Sequence, residues 1–193
     1  MNALMKRLTL AAILLPSAAL AHPGHVHDAH DSGAQFIHGL AHPVGGADHL
    51  LAMVALGLLA VQLGGRAVWA LPLTFVGAML AGGAVGAGGM IFPAVEPMIL
   101  ASVVILGVLV AMAARLPMAA LVPMVALFGA AHGWAHGAEG PATGLPLYAA
   151  GFALATMALH LAGIAFGRLL SRGLELRVLG GGTALAGVAL AVA

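Results

Sequence analysis

Two ionisable residues, Asp48 and His49, stand side by side within a long apolar stretch that runs from residue 36 to residue 61. A charged or polar side chain at mid-membrane depth costs a few kcal/mol unless it faces the protein interior, a partner or water. Such a residue is therefore by default a candidate for a functional site. Because imidazole and carboxylate groups together bind divalent transition metals, the pair predicts a site for a metal cation.

Two further histidines, His38 and His42, precede this pair in the same apolar stretch. On a continuous α-helix with about 100° per residue, both would share one face with His49. The first apolar segment therefore offers three imidazoles along one helical face, at successive depths, as stepping stones for a cation that enters from outside.

Asp48 would point about 100° away from His49 on a regular helix, so one ion could meet both only where the helix is distorted. Pro43 can cause a distortion because proline has no N–H and clashes with the preceding helical turn. Gly45 and Gly46 add backbone freedom. We therefore predict a broken first helix beside the ion site, as broken helices in transporters commonly line such sites.

A second group of candidate ligands lies further along the chain, at His132, His136 and Glu139. Their spacing places all three on one helical face, and two imidazoles four residues apart are a common chelating pair. His160, near the middle of a later apolar segment, is a further candidate. The alternatives are a hydrogen bond to a neighbouring helix for His160 and an ordinary solvated loop acid for Glu139.

The N-terminal 21 residues have the pattern of a cleaved signal peptide. Lys6 and Arg7 precede a short apolar run, and Ala19-Leu20-Ala21 is a small-residue cleavage site. An uncleaved signal anchor is the alternative. Residues 22–35 then form a histidine-rich periplasmic tail, in which His22 and His25 are candidate ligands. The alternative for this tail is a flexible, solubilising segment, since histidine-rich composition is only a hint of metal binding.

Composition places the rest of the chain in a membrane. The 193 residues are 62% hydrophobic and only 7% charged, whereas soluble domains are about 25% charged. There is no cysteine, which excludes disulfides and thiolate metal sites. We predict an all-α, polytopic bundle of six transmembrane helices at residues 36–193, after the cleaved signal peptide. The predicted spans are 36–61, 68–89, 98–114, 117–137, 145–167 and 178–193.

Loop charges predict the orientation of these spans. With the mature N-terminus outside the cytoplasm, every arginine beyond the signal peptide falls in an inner loop, which satisfies the positive-inside rule. The expected location is the bacterial inner membrane, with both mature ends periplasmic.

The run from His42 to Met53, His-Pro-Val-Gly-Gly-Ala-Asp-His-Leu-Leu-Ala-Met, closely resembles the signature of the HupE/UreJ family. The run from His132 to Glu139 resembles that family's second motif. The family comprises nickel permeases of bacterial inner membranes that are associated with hydrogenase or urease. The resemblance implies a role in metal binding for His42, Asp48, His49, His132, His136 and Glu139, whereas His38 and His160 rest on the helical spacing alone.

We therefore expect a secondary permease, not an enzyme, that imports Ni²⁺ to supply assembly of a metalloenzyme such as hydrogenase or urease. Only the resemblance favours Ni²⁺, and residue chemistry leaves Co²⁺ and Zn²⁺ open. The ion is a transported substrate, and no permanently bound cofactor is expected. Expected partners are the ion, the lipid bilayer and hydrogenase or urease maturation factors, with no nucleic acid. The alternatives are an intramembrane zinc-dependent hydrolase and a delivery or sensing module that binds metal without transport.

Overall fold

A computed structural model describes residues 32–170 and 173–193 of the chain. The predicted signal peptide, most of the predicted tail, His22 and His25 lie outside these residues. The described residues form seven α-helices and no β-strand, so the prediction of an all-α chain is confirmed. The helices are α1 (Ser32–Gly45), α2 (Ala47–Leu63), α3 (Ala67–Ala87), α4 (Val95–Ala111), α5 (Met118–Ala138), α6 (Leu145–Leu169) and α7 (Leu174–Val192).

Most of these helices suit a bilayer. Helices α3, α5, α6 and α7 are long and apolar enough to cross a membrane, and α1 and α2 together make a fifth candidate span. Helix α4 is apolar but has only 17 residues. Residues 32–170 and 173–193 therefore have the helices of a membrane protein, with four or five candidate spans by length and composition where the sequence predicted six.

The first predicted span is two helices and not one. Helices α1 and α2 meet at an angle of 79°, and Gly46 between them has an extended backbone with φ −97° and ψ 121°. The predicted distortion is therefore present, and it lies three residues beyond Pro43, which remains inside α1. As a result His49 belongs to a different helix from His38 and His42, and the shared face expected of a continuous helix does not exist.

Glycines determine which helices lie closest together. A Cβ placed on Gly129, Gly133 or Gly137 of α5 would collide with the backbone of α3, so these glycines let the two helices touch. Similar contacts join α4 to α7, and α6 to both α1 and α2. Helix α5 also packs on α4 but makes little backbone contact with α1, α2 or α6 within the described residues.

Helix α2 lies at the centre of this arrangement. Its residues from Ala55 to Val61 are all buried, and it packs against α3, α4 and α6. Its N-terminal end carries Asp48 and His49 in the first turn. Because α5 stays apart from α6, a cavity of about 210 Å³ opens between α3, α5 and α6, and the His136 side chain lines it. The centre of the fold thus places the start of α2 opposite the C-terminal half of α5.

Candidate metal-binding site

Asp48 fixes the orientation of the His49 ring. Its Oδ1 atom lies 2.8 Å from His49 Nδ1, and the same oxygen accepts a hydrogen bond of 2.8 Å from the backbone N–H of His49. A carboxylate can only accept hydrogen bonds, so Nδ1 of His49 carries the ring proton. The lone pair of His49 is then on Nε2, on the opposite side of the ring. Such a carboxylate–histidine pair is typical of metal-binding histidines.

The Nε2 atom of His49 points at a second imidazole. It lies 2.5 Å from Nε2 of His136 on α5, and both rings are buried. Two nitrogens bound to one metal ion at about 2.0–2.1 Å each, with a right angle between the bonds, would be about 3 Å apart. The rings would therefore have to separate by roughly half an ångström to admit an ion. Within the described residues, no three His, Asp or Glu side chains are already spaced to hold a metal ion.

Two more histidines lie next to this pair, one beside each ring. The His132 ring centroid is 4.6 Å from that of His49, and the His42 ring centroid is 4.6 Å from that of His136. His42 is exposed, whereas His132 is fully buried. We call His42, Asp48, His49, His132 and His136 the histidine cluster. Its members come from α1, α2 and α5, and it extends from the protein surface to the core.

Aromatic side chains enclose part of the histidine cluster. Phe152 of α6 packs on His136 with ring centroids 4.3 Å apart, and Tyr148 packs on His42 at 6.0 Å. Phe75 of α3 lies 5.4 Å from His132. These contacts keep the imidazoles in an apolar surrounding, which strengthens their interaction with charge. None of these three aromatic residues was predicted from the sequence, although the i, i+4 spacing of Tyr148 and Phe152 on one helix is a signal that could have indicated those two.

Three of the other predicted ligands lie outside the cluster. His38 is exposed one turn before His42, with ring centroids 6.0 Å apart, so it lies next to the surface end of the histidine cluster. Glu139 is exposed just beyond the end of α5, and within the described residues its carboxylate has no hydrogen-bond or ion-pair partner. His160 is fully buried against Phe75, with ring centroids 5.2 Å apart, and neither of its ring nitrogens has a hydrogen-bond partner among the described residues.

Ser102 of α4 is a further polar residue near the cluster, and it was not predicted from the sequence. Its Oγ lies 3.0 Å from His132 Nε2 and 2.6 Å from the carbonyl oxygen of Ile99, and it is fully buried. Ser102 has the one hydroxyl in the otherwise apolar run from Ile99 to Ala111. A lone hydroxyl in an apolar helix is a signal for such a contact, since a buried polar group requires a partner.

Comparisons with known proteins agree with the motifs. The sequence model of the HupE / UreJ protein family matches residues 10–190. The chain belongs to the HupE/UreJ family. It is also similar to protein HupE of Rhizobium leguminosarum bv. viciae, with 44% identity over 191 residues that cover 95% of each chain. No solved structure matches the chain. The family resemblance inferred from the two motifs is therefore confirmed.

In this HupE/UreJ chain the fold brings the two sequence motifs together. His42, Asp48 and His49 come from the first motif, and His132 and His136 come from the second. The two motifs are more than eighty residues apart in the sequence. They meet because α5 passes beside the break between α1 and α2. The arrangement joins several imidazoles to one carboxylate, which is a donor set suited to a divalent transition-metal ion.

Proposed function

We propose that this chain is a secondary permease that imports Ni²⁺, with Co²⁺ as the second candidate, across the bacterial inner membrane. The metal would supply assembly of an enzyme such as hydrogenase or urease. The observation that carries the proposal is the convergence of the His49 and His136 Nε2 atoms, 2.5 Å apart, in a buried site whose neighbouring carboxylate holds His49 in place. Family membership favours nickel among the ions that these ligands suit.

The chemistry of the cluster fits a transported divalent cation. Imidazole nitrogens bind Ni²⁺ and Co²⁺ well, and the negative charge of Asp48 offsets part of the charge of the ion at depth in the membrane. Several neighbouring histidines can replace water molecules one at a time as the ion moves inward. At a membrane potential of 100 mV, a divalent cation gains about 4.6 kcal/mol on moving inward, which can drive import without ATP.

The proposed topology has six spans, with the short helix α4 as the sixth and the mature N-terminus in the periplasm. The exposed rings of His38 and His42 then face the periplasm, where the ion arrives. Residues 1–21 are proposed as the signal peptide. The histidine-rich tail that follows, including His22 and His25, would raise the local metal concentration.

Uptake of radioactive Ni²⁺ into proteoliposomes tests the proposal directly. We expect saturable uptake by the wild type and a loss of at least about tenfold in Asp48→Asn, because a charge-neutral amide cannot offset the charge of the ion. Glu175→Gln is the matched control, because Glu175 is an exposed acid in the first turn of α7, a helix that contributes no residue to the histidine cluster. Competition by Co²⁺ and Zn²⁺ would rank the ions.

Two results would contradict the proposal that the chain is a permease. Tight Ni²⁺ binding without any flux would indicate a delivery or sensing module. Metal-dependent cleavage of a lipid or peptide without flux would indicate an intramembrane hydrolase.

A further inference from the structure

Ser102 and His132 form a fully buried hydrogen-bonded pair between α4 and α5. Ser102 Oγ lies 2.6 Å from the carbonyl oxygen of Ile99 and 3.0 Å from His132 Nε2. The hydroxyl has one proton to donate, and both neighbours are close enough to receive it. Which of them does so decides where the proton of His132 lies.

The carbonyl of Ile99 can only accept a hydrogen bond, so the short contact of 2.6 Å requires the hydroxyl proton of Ser102. The lone pairs of Ser102 Oγ then face His132 Nε2, which must donate. A neutral imidazole carries one N–H, so Nδ1 of His132 is left with the lone pair. That Nδ1 atom is buried without a hydrogen-bond partner among the described residues.

The opposite tautomer of His132 fits this surrounding badly. It would place two lone pairs against each other at Ser102 Oγ and His132 Nε2, so the hydrogen bond between the two residues would be lost. A buried group without its hydrogen bond costs about 1–3 kcal/mol. The packing of α4 against α5 therefore selects one tautomer.

We propose that Ser102 is a positioning residue that holds His132 as the Nε2–H tautomer, so that Nδ1 presents its lone pair to the transported ion. The proposal rests on the proposed function, in which His132 contacts that ion. The His132 ring centroid lies 4.6 Å from that of His49, beside the point where His49 and His136 converge. Metal-binding histidines commonly donate their other N–H to a carboxylate, a backbone carbonyl or water, which fixes ring orientation and tautomer. The hydroxyl oxygen of Ser102 would accept from His132 in the same way.

The proposal gives the two neighbouring histidines opposite tautomers. Asp48 holds the proton of His49 on Nδ1 and leaves Nε2 free, whereas Ser102 holds the proton of His132 on Nε2 and leaves Nδ1 free. A carboxylate and a hydroxyl thus perform the same positioning from two different helices.

Nitrogen NMR of the full-length, metal-free protein labelled at its histidine nitrogens, together with calorimetric Ni²⁺ titration, tests the proposal. We expect His132 of the wild type to be protonated at Nε2, and Ser102→Ala to give a mixture of tautomers. Its Ni²⁺ affinity should fall about tenfold or more, the range for loss of a partner that orients a metal-binding histidine. Ser102→Thr keeps the hydroxyl and should restore most of the affinity.

Thr156→Ala is the matched control, because Thr156 is a fully buried hydroxyl that donates to the Met79 sulfur at 3.6 Å and not to a histidine. It should leave the tautomer of His132 unchanged. If His132 of the wild type is protonated at Nδ1, the proposal is overturned. This NMR measurement does not depend on whether Ser102→Ala folds. If His132→Ala lowers the Ni²⁺ affinity but well-folded Ser102→Ala does not, the positioning role of Ser102 is overturned and the proposed function stands. Equal affinity of the wild type and His132→Ala overturns the proposed placement of the ion, and the positioning role with it.

Discussion

The carboxylate of Asp48 has two separable roles at the start of α2. One oxygen atom accepts hydrogen bonds from both the backbone and the ring of His49, which restrains that ring. The negative charge of the same group would offset the charge of a bound cation. Because an asparagine amide keeps an oxygen acceptor but has no charge, substitution can distinguish the two roles.

We expect Asp48→Asn and Asp48→Ala both to weaken Ni²⁺ binding to the purified protein, with the alanine variant weaker by about a further tenfold because it also loses the group that orients His49. Isothermal titration calorimetry measures both affinities. Equal affinities in the two variants would show that charge alone matters and that the hydrogen bond to His49 is incidental.

Gly46 stands at the break between α1 and α2, and its backbone angles are open to any residue. With φ −97° and ψ 121°, Gly46 lies in the ordinary extended region. An added side chain at this position would contact the Asp48–His49 pair. A Cβ at Gly46 would lie 2.9 Å from Asp48 Oδ1 and 3.2 Å from His49 Nδ1. An added side chain would therefore press on the Asp48 carboxylate and the His49 ring at the point where they pair.

Gly46→Ala should consequently displace the Asp48 side chain and lower Ni²⁺ affinity about tenfold, as for other losses of an orienting partner, while helix content stays unchanged. Gly45→Ala is the control, since a Cβ at Gly45 meets nothing within 4 Å. Circular dichroism measures helix content and calorimetry measures affinity. Equal Ni²⁺ affinities of Gly46→Ala and Gly45→Ala would show that a Cβ at residue 46 does not disturb the Asp48–His49 pair.

Particular residues show what could be predicted from the sequence. The spacing of His132 and His136 predicts a shared helical face, and Pro43 with the following glycines predicts a distorted first helix, because both signals are local. The position of the break, at Gly46, does not follow from this local signal, since Pro43 is accommodated inside α1. Ser102 and Phe152 were missed as neighbours of the cluster because they come from other helices. The lone hydroxyl of Ser102 signals a buried contact but does not show which of the other apolar helices provides the partner.

The whole chain should cross the membrane six times only if α4 crosses it. Helix α4 has 17 residues, or roughly 25 Å at 1.5 Å per residue, against about 30 Å of hydrocarbon. A short helix can still span by local thinning of the bilayer, at a modest cost per ångström. The segments on either side of α4 must then lie on opposite faces of the membrane.

The chain has no cysteine, so single introduced cysteines can report these two segments without background. Ile91 before α4 is 90% exposed and Leu116 after it is 41% exposed. We expect Ile91→Cys to react with a membrane-impermeant maleimide in intact spheroplasts, and Leu116→Cys to react only after permeabilisation. Reaction of both in intact spheroplasts would place α4 on the surface and reduce the number of spans to five.

Helices α2 and α5 meet mainly through imidazole rings, since α5 makes little backbone contact with α1, α2 or α6. On the proposed function, an ion bound between His49 and His136 would be a reversible cross-link between these helices. Its binding free energy would then contribute to holding them together, by about 2.7 kcal/mol at an ion concentration one hundred times Kd. Release of the ion would remove this cross-link, whereas the contacts of α5 with α3 and α4 would remain, so the loaded carrier would be the more rigid form.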